Sequence, residues 1–154
     1  PLARLRRLSV AALLHDIGKV GIPDAVLTKA QRLTAEEFEV MKTHSTIGES
    51  LLREIDGHED LCTAVRHAHE RFDGSGYPDH LGSGGIPILA RIIGTAEAWD
   101  TIVTPRLYKA AVPASAALEE LWRCRGTHFD PDVVDALYHI FTAGRLPLVA
   151  GPRS

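Results

Sequence analysis

The chain has 154 residues, 45% of them apolar and 24% charged, with a net charge of −3. That size supports one domain with an apolar core of its own, and the acidic balance argues against a surface for nucleic-acid polymers or anionic membranes. Cys62 and Cys124 are the only cysteines. A disulfide framework is therefore not expected and a reducing, cytoplasmic setting is; no apolar run nears the ~20 residues that insert through a bilayer.

Period-two alternation is missing and helical periodicity recurs, so the chain reads as all-α. It opens at Pro1 without a methionine and enters a helical pattern at once, which suggests a fragment of a longer polypeptide. The first helix has the stripe Leu8, Ala11, Ala12, His15 and is ended by Gly18, Gly21 and Pro23. Thr34 with Glu37 forms a capping-box start, and Phe38 and Met41 lead along one face to His44. Gly48 interrupts that helix or marks close packing. The next helix, about Glu59 to Glu70, carries Cys62 and Val65 on the side that reaches His69, with His67 turned to solvent. Pro87 opens "ILARIIGTAEAWDTIV", where Ile93 and Ala96 lead to Asp100. Two amphipathic helices follow, the second with Asp130 as N-cap, Pro131 at its first position and Gly144 as its stop. Residues 1–143 are thus expected to form the domain and 144–154 a loose tail.

The polar ends of these stripes carry the chemistry. His15, His44, His69 and Asp100 each lie on the apolar side of a different predicted helix, and Asp16 follows His15. Taken singly, each has an ordinary explanation: a hydrogen-bonded core histidine, or an aspartate that caps a helix or pairs with an arginine. Together they suggest more, because buried ionisable groups are costly unless paired or bound to a metal. A helical bundle that gathers imidazoles and carboxylates is a common dinuclear metal site. Asp16 is suited to bridging, since its two oxygens can serve two cations. This donor set fits zinc, iron or manganese and not a thiolate site. Lys19, three residues after Asp16, could clamp a phosphate oxygen beside such a centre; equally, it could be an exposed lysine at a helix C-terminus. The loop "DGSG" could offer backbone N–H groups to an anion or be a plain turn.

The motifs "HDIGKVGIPD", "LTAEEFEVMKTH", "HERFDGSGYP", "IPILARIIGTAEAWD" and "GTHFDPDVV" resemble, in order and spacing, those of the HD-GYP domain family, a branch of the HD metal-dependent phosphohydrolases. The resemblance implies an HD-type helical bundle with two or three divalent metal ions, iron or manganese. It implies hydrolysis of cyclic di-GMP to linear pGpG, and in some members onward to GMP. Such a domain would be the output module of a bacterial signalling protein, joined to a sensor or receiver domain, with its oligomeric state open. By position, the resemblance makes His15, Asp16, His44, His69 and Asp100 metal ligands. It makes Asp16 and Lys19 catalytic, and Lys19, Gly76, Tyr77, Pro78 and Lys109 substrate-binding.

Three departures stand against the family pattern. Ala68 replaces the first imidazole of the usual "HHE". The family also has a histidine, often with a glutamate, upstream of the HD pair, and no residue before His15 serves here. "AWDTIV" departs mildly from "YDALT". The first two motivate an alternative of another class: a degenerate domain that senses nucleotide or docks a partner without catalysis.

Overall fold

The computed structural model describes residues 2–55, 58–104 and 112–146. Its helices are α1 (Leu2–Leu14), α2 (Asp24–Leu27), α3 (Ala35–Lys42), α4 (His44–Arg53), α5 (Glu59–Arg66), α6 (Ile88–Val103), α7 (Ala114–Arg123) and α8 (Pro131–Thr142), with short 3-10 turns at Ile17–Gly21 and Ser83–Gly85. Among the described residues there are two isolated bridges and no sheet, as the all-α reading expects.

The cap signals in the sequence act as they should. Thr34 accepts from the Glu37 N–H (3.3 Å) while the Thr34 N–H donates to the Glu37 carboxylate (2.7 Å), a complete capping box. Asp130 caps α8 by accepting from the Asp132 N–H at 2.7 Å, and it also pairs with Arg91.

α5 lies at the centre because it is apolar on two sides. Leu61 and Ala64 pack with Ala11 of α1, Ile93 of α6 and Ala68, while Cys62 and Val65 pack with Leu52 of α4 and with Leu14. The sequence reading differs from the structure where helices end. The helix expected to carry Phe38 through to His44 is two helices, with Thr43 closing α3 and opening α4. α3 buries none of its residues, so Phe38 is 45% exposed and not a core side chain. α5 stops at Arg66. The helical angle of about 100° per residue therefore no longer applies at His67, which is 9% exposed and not solvent-facing.

The segment after α5 is stitched down. Glu70 accepts the N–H groups of Asp79 (2.7 Å) and Leu81 (3.1 Å), and Tyr77 donates its N–H to the His69 carbonyl at 3.2 Å. Arg66 grips Asp79 with two bonds of 2.6 and 2.7 Å and reaches Glu49 at 2.6 Å. Gly76 is required where the loop turns: a Cβ there would sit 2.2 Å from the Arg71 nitrogen and 2.5 Å from the Glu70 Cα.

Glu49 is 7% exposed. Burial alone would raise its pKa, but Arg66 and Arg53 outweigh it and hold the carboxyl below the usual range. A carboxylate depressed in the folded state stabilises the fold above its unfolded pKa, near 4.3. That contribution is lost as pH falls through the folded value. Replacing Arg66 with methionine removes the larger clamp, so the acid-unfolding midpoint followed by circular dichroism is expected to move to higher pH. An unchanged midpoint would mean that Glu49 is not held by Arg66.

Candidate metal centre

Of the five expected ligand positions, His15 and Asp16 directly follow α1, His44 opens α4, His69 lies three residues past α5, and Asp100 alone is inside a helix. The last carbonyls of an α-helix lack intrahelical donors, and two histidines meet that need. His15 Nδ1 is 2.8 Å from the Ala12 carbonyl in the last turn of α1, and His44 Nδ1 is 2.7 Å from the Met41 carbonyl in the last turn of α3. A carbonyl only accepts, so both Nδ1 atoms carry the proton and both Nε2 atoms keep a lone pair. This is the outer-shell arrangement usual for metal-binding histidines. Local helix termination thus fixes the tautomers and aims the donors.

Those lone pairs converge on Asp16. Asp16, His44 and His69 form one group whose donor atoms all lie within 4.8 Å of one another, and His15, Asp16 and Glu97 form a second. Asp16 belongs to both: Oδ1 is 3.5 Å from His44 Nε2, and Oδ2 is 3.6 Å from His15 Nε2. Glu97 faces the same point, with one oxygen 3.9 Å from His15 Nε2 and the other 3.6 Å from His69 Nδ1. Lys19 closes the arrangement at 2.6 Å from Asp16 Oδ2.

The donor set fits divalent cations. His15 Nε2 and Asp16 Oδ1 are buried without a hydrogen-bond partner, a costly state for acceptors that a cation would relieve. His44 Nε2 and His69 Nε2 are 2.9 Å apart, and since His44 is protonated on Nδ1, His69 must donate from Nε2 when no cation is bound. Moving that proton to His69 Nδ1, which faces Glu97, frees both Nε2 lone pairs.

Electrostatics keep His69, Asp16 and Glu97 in ligating form. Glu97, with the Ala12 carbonyl and Asp16, instead raises the His15 pKa against its burial, so a cation bound at His15 Nε2 would have to displace a proton. Burial pushes the His69 pKa down to about 4, against the opposing pull of Glu97, so this imidazole is neutral at pH 7. Burial would raise the Asp16 pKa, but Lys19 and the neighbouring imidazoles bring it below the ordinary value. His15 facing Glu97 does the same for the Glu97 carboxyl, despite its burial.

Asp100, expected among the ligands, is in neither group. It is exposed and accepts a hydrogen bond from the Thr104 hydroxyl at 3.1 Å. Glu97, which the stripe reading passed over, stands in the cluster instead. The usable signal was Ala90, Ile93, Glu97: the first two are buried, whereas Ala96 is exposed. Asp100 lies one turn, about 5 Å, farther along the axis and on the other side of Ile93.

Tyr77 stacks on the His69 ring with centroids 5.1 Å apart and planes 14° apart, while Gly76 is buried and Pro78 half-buried beside it. Burial raises the Tyr77 pKa well above 10, so the phenol stays protonated. Lys109 lies outside the described residues. Ala68, where the resemblance expects another imidazole, is 2% exposed and packs in the apolar cluster of Ala11, Leu61, Ala64 and Ile93. Ala68→His is therefore expected to overpack this cluster and cost about 1–3 kcal/mol in urea unfolding, with no added metal by elemental analysis. A stable variant that takes up an extra cation would contradict this.

The chain matches the HD domain family model over residues 1–133. It is 46% identical over 136 residues to the cyclic di-GMP phosphodiesterase response regulator RpfG of Xanthomonas campestris, covering 86% of this chain and 36% of that protein. It is 44% identical over 132 residues to a cyclic di-GMP phosphodiesterase of Thermotoga maritima, covering 84% and 36%. Against a 3'3'-cGAMP-specific phosphodiesterase of Vibrio cholerae it is 35% identical over 127 residues, covering 82% and 28%. The chain thus spans about a third of the length of these curated relatives. In fold it is similar to the crystal structure of a cyclic GMP-AMP-specific phosphodiesterase of V. cholerae, with a TM-score of 0.69, 21% identity and coverage of 92% of this chain and 39% of that one. It is likewise similar to an HD-GYP protein of Bdellovibrio bacteriovorus, with a TM-score of 0.67, 20% identity and coverage of 91% and 44%. With the helical fold, the paired histidine and aspartate and the convergent donors in place, the chain belongs to the HD domain family.

Proposed function

We propose that this chain is the catalytic module of a metal-dependent phosphodiesterase that opens cyclic di-GMP to linear pGpG. The observation that carries this reading is Asp16, shared by two donor groups and left with a buried, unpartnered oxygen. The names of the relatives supply the substrate class. Divalent ions such as iron or manganese would supply neutralisation of phosphate oxygens and activation of a water there. Asp16, with His15 and Glu97 on one side and His44 and His69 on the other, would hold them. Lys19, anchored on Asp16 and partly exposed, offers its remaining N–H donors to a phosphate oxygen. Tyr77, kept protonated and stacked on His69, walls the site on the loop side. We place the parent protein in the cytoplasm with a sensor or receiver domain, in keeping with the free thiols of Cys62 and Cys124 and the response-regulator name of RpfG.

The test is turnover of cyclic di-GMP by the chain supplied with Fe²⁺ or Mn²⁺, with products separated by chromatography and 3'3'-cGAMP run in parallel. Linear pGpG is the expected product. No turnover of either substrate by folded, metal-loaded protein would overturn the assignment. The apolar surroundings of Ala68 favour a second reading, a non-catalytic nucleotide sensor. Fewer than two metals per chain after reconstitution would support it.

A further inference from the structure

The wall of the metal site continues onto α3. Phe38 borders a cavity of about 300 Å³ that also contains His69, Glu97, Tyr77, Arg71 and His128 among its lining residues. That volume lies at the small end of the range for ligand cavities, about 300–1,000 Å³, and suits one nucleotide rather than a whole cyclic dinucleotide. With a phosphate at the donors, one of the two bases must lie across the rim.

An exposed aromatic ring stands at that rim. Phe38 is 45% exposed on a helix that buries none of its own residues, so the packing of the core does not account for it. Its ring meets Tyr77 edge-on with centroids 6.3 Å apart, and Tyr77 in turn stacks on His69. Lys42 Nζ stands 5.2 Å from the Phe38 centroid and 5.7 Å from that of Tyr77. It is paired at 2.6 Å with Glu39, whose side chain is largely exposed and free to give way. An aromatic face with an ammonium beside it is what stacks a base and meets its phosphate.

We propose that Phe38 and Lys42 form a recognition ledge, on which Phe38 stacks one purine of the cyclic dinucleotide and Lys42 contacts the adjoining phosphate. The ledge rests on the proposed function and names the residues that would hold the substrate outside the metal donors.

The experiment is calorimetric titration of cyclic di-GMP into the chain and its variants, with Mn²⁺ and again in EDTA. Ribose 5-phosphate serves as the ligand without a base, and thermal melts check folding. Phe38→Ala is expected to weaken cyclic di-GMP about tenfold or more and leave ribose 5-phosphate unchanged, with Phe38→Trp restoring the affinity. Lys42→Gln is expected to weaken both ligands. The ledge is overturned if Phe38→Ala binds the dinucleotide as tightly as wild type, if it loses both ligands equally, or if wild type binds no cyclic di-GMP. Turnover is scored separately. A hydrolysing wild type with an indifferent Phe38→Ala sinks the ledge alone, and a non-hydrolysing wild type whose Phe38→Ala loses affinity sinks the activity alone.

Discussion

On the proposed function, Asp16→Asn is expected to strip the bound cations from the chain and to lower turnover of cyclic di-GMP by about 10³-fold or more. The size follows from what the metals contribute: several kcal/mol of charge stabilisation in the transition state, at about 1.4 kcal/mol per decade of rate. Asparagine keeps the shape of the side chain but loses the charge that would balance the cations, and among the described residues Asp16 alone is common to both donor groups. Two companions make the test specific. Glu97→Gln removes a donor from the group with His15 and Asp16, and its amide oxygen can still accept from His69 Nδ1, so elemental analysis should show one cation lost. Asp100→Asn should leave the metal content unchanged, because Asp100 is exposed and bonded to Thr104. Retention of both metals by Asp16→Asn would remove the bridging role. Loss of metal from Asp100→Asn with none from Glu97→Gln would restore Asp100 as the ligand.

The contrast between Glu97 and Asp100 shows how far the sequence could be read. His15, His44 and His69 were legible as polar residues ending apolar stripes and Asp16 as the neighbour of His15, and the structure brings the four together. The three histidines sit at helix boundaries: His15 just past α1, His44 at the start of α4 and His69 three residues past α5. Each follows or begins a helix by a residue or a few, where the last helical turn still directs the chain. Within α6 the same argument failed. Two carboxylates one turn apart both lie near the buried face, and only the position of α6 against the segment after α5 decides between them. Gly94 sets that position: a Cβ there would lie 2.6 Å from the Ala68 carbonyl. Such a backbone contact has no periodic signature. His67 was misjudged for a related reason, since its burial comes from Glu70 and Asp79 after the helix has ended. The helical fold itself was legible throughout, because caps, breakers and stripes are local and agree with one another.

Close backbone approach also underlies the largest expected effect on stability. A Cβ on Gly18 would lie 1.9 Å from the His44 carbonyl oxygen, 2.5 Å from the Gly48 nitrogen and 2.8 Å from the His44 carbonyl carbon. All three neighbours are backbone atoms of α4, so no side chain can turn aside. Gly18→Ala must push the first turn of α4 away from the 3-10 turn, and that turn carries His44. Overpacking typically costs 1–3 kcal/mol and occasionally more, and a clash against rigid backbone belongs at the upper end, about 3 kcal/mol. The urea midpoint should fall while its slope stays the same, and metal uptake should drop because His44 is displaced. Gly21→Ala is the control on the same turn. The three atoms nearest its Cβ would be Ile47 side-chain carbons, the closest at 3.1 Å, which can rotate away, and the expected cost is small. Equal losses from the two variants would mean that the turn dislikes alanine for reasons of chain conformation. A Gly18→Ala protein as stable as wild type would show that α4 is free to retreat, and that the seating of His44 does not depend on the contact between Gly18 and Gly48.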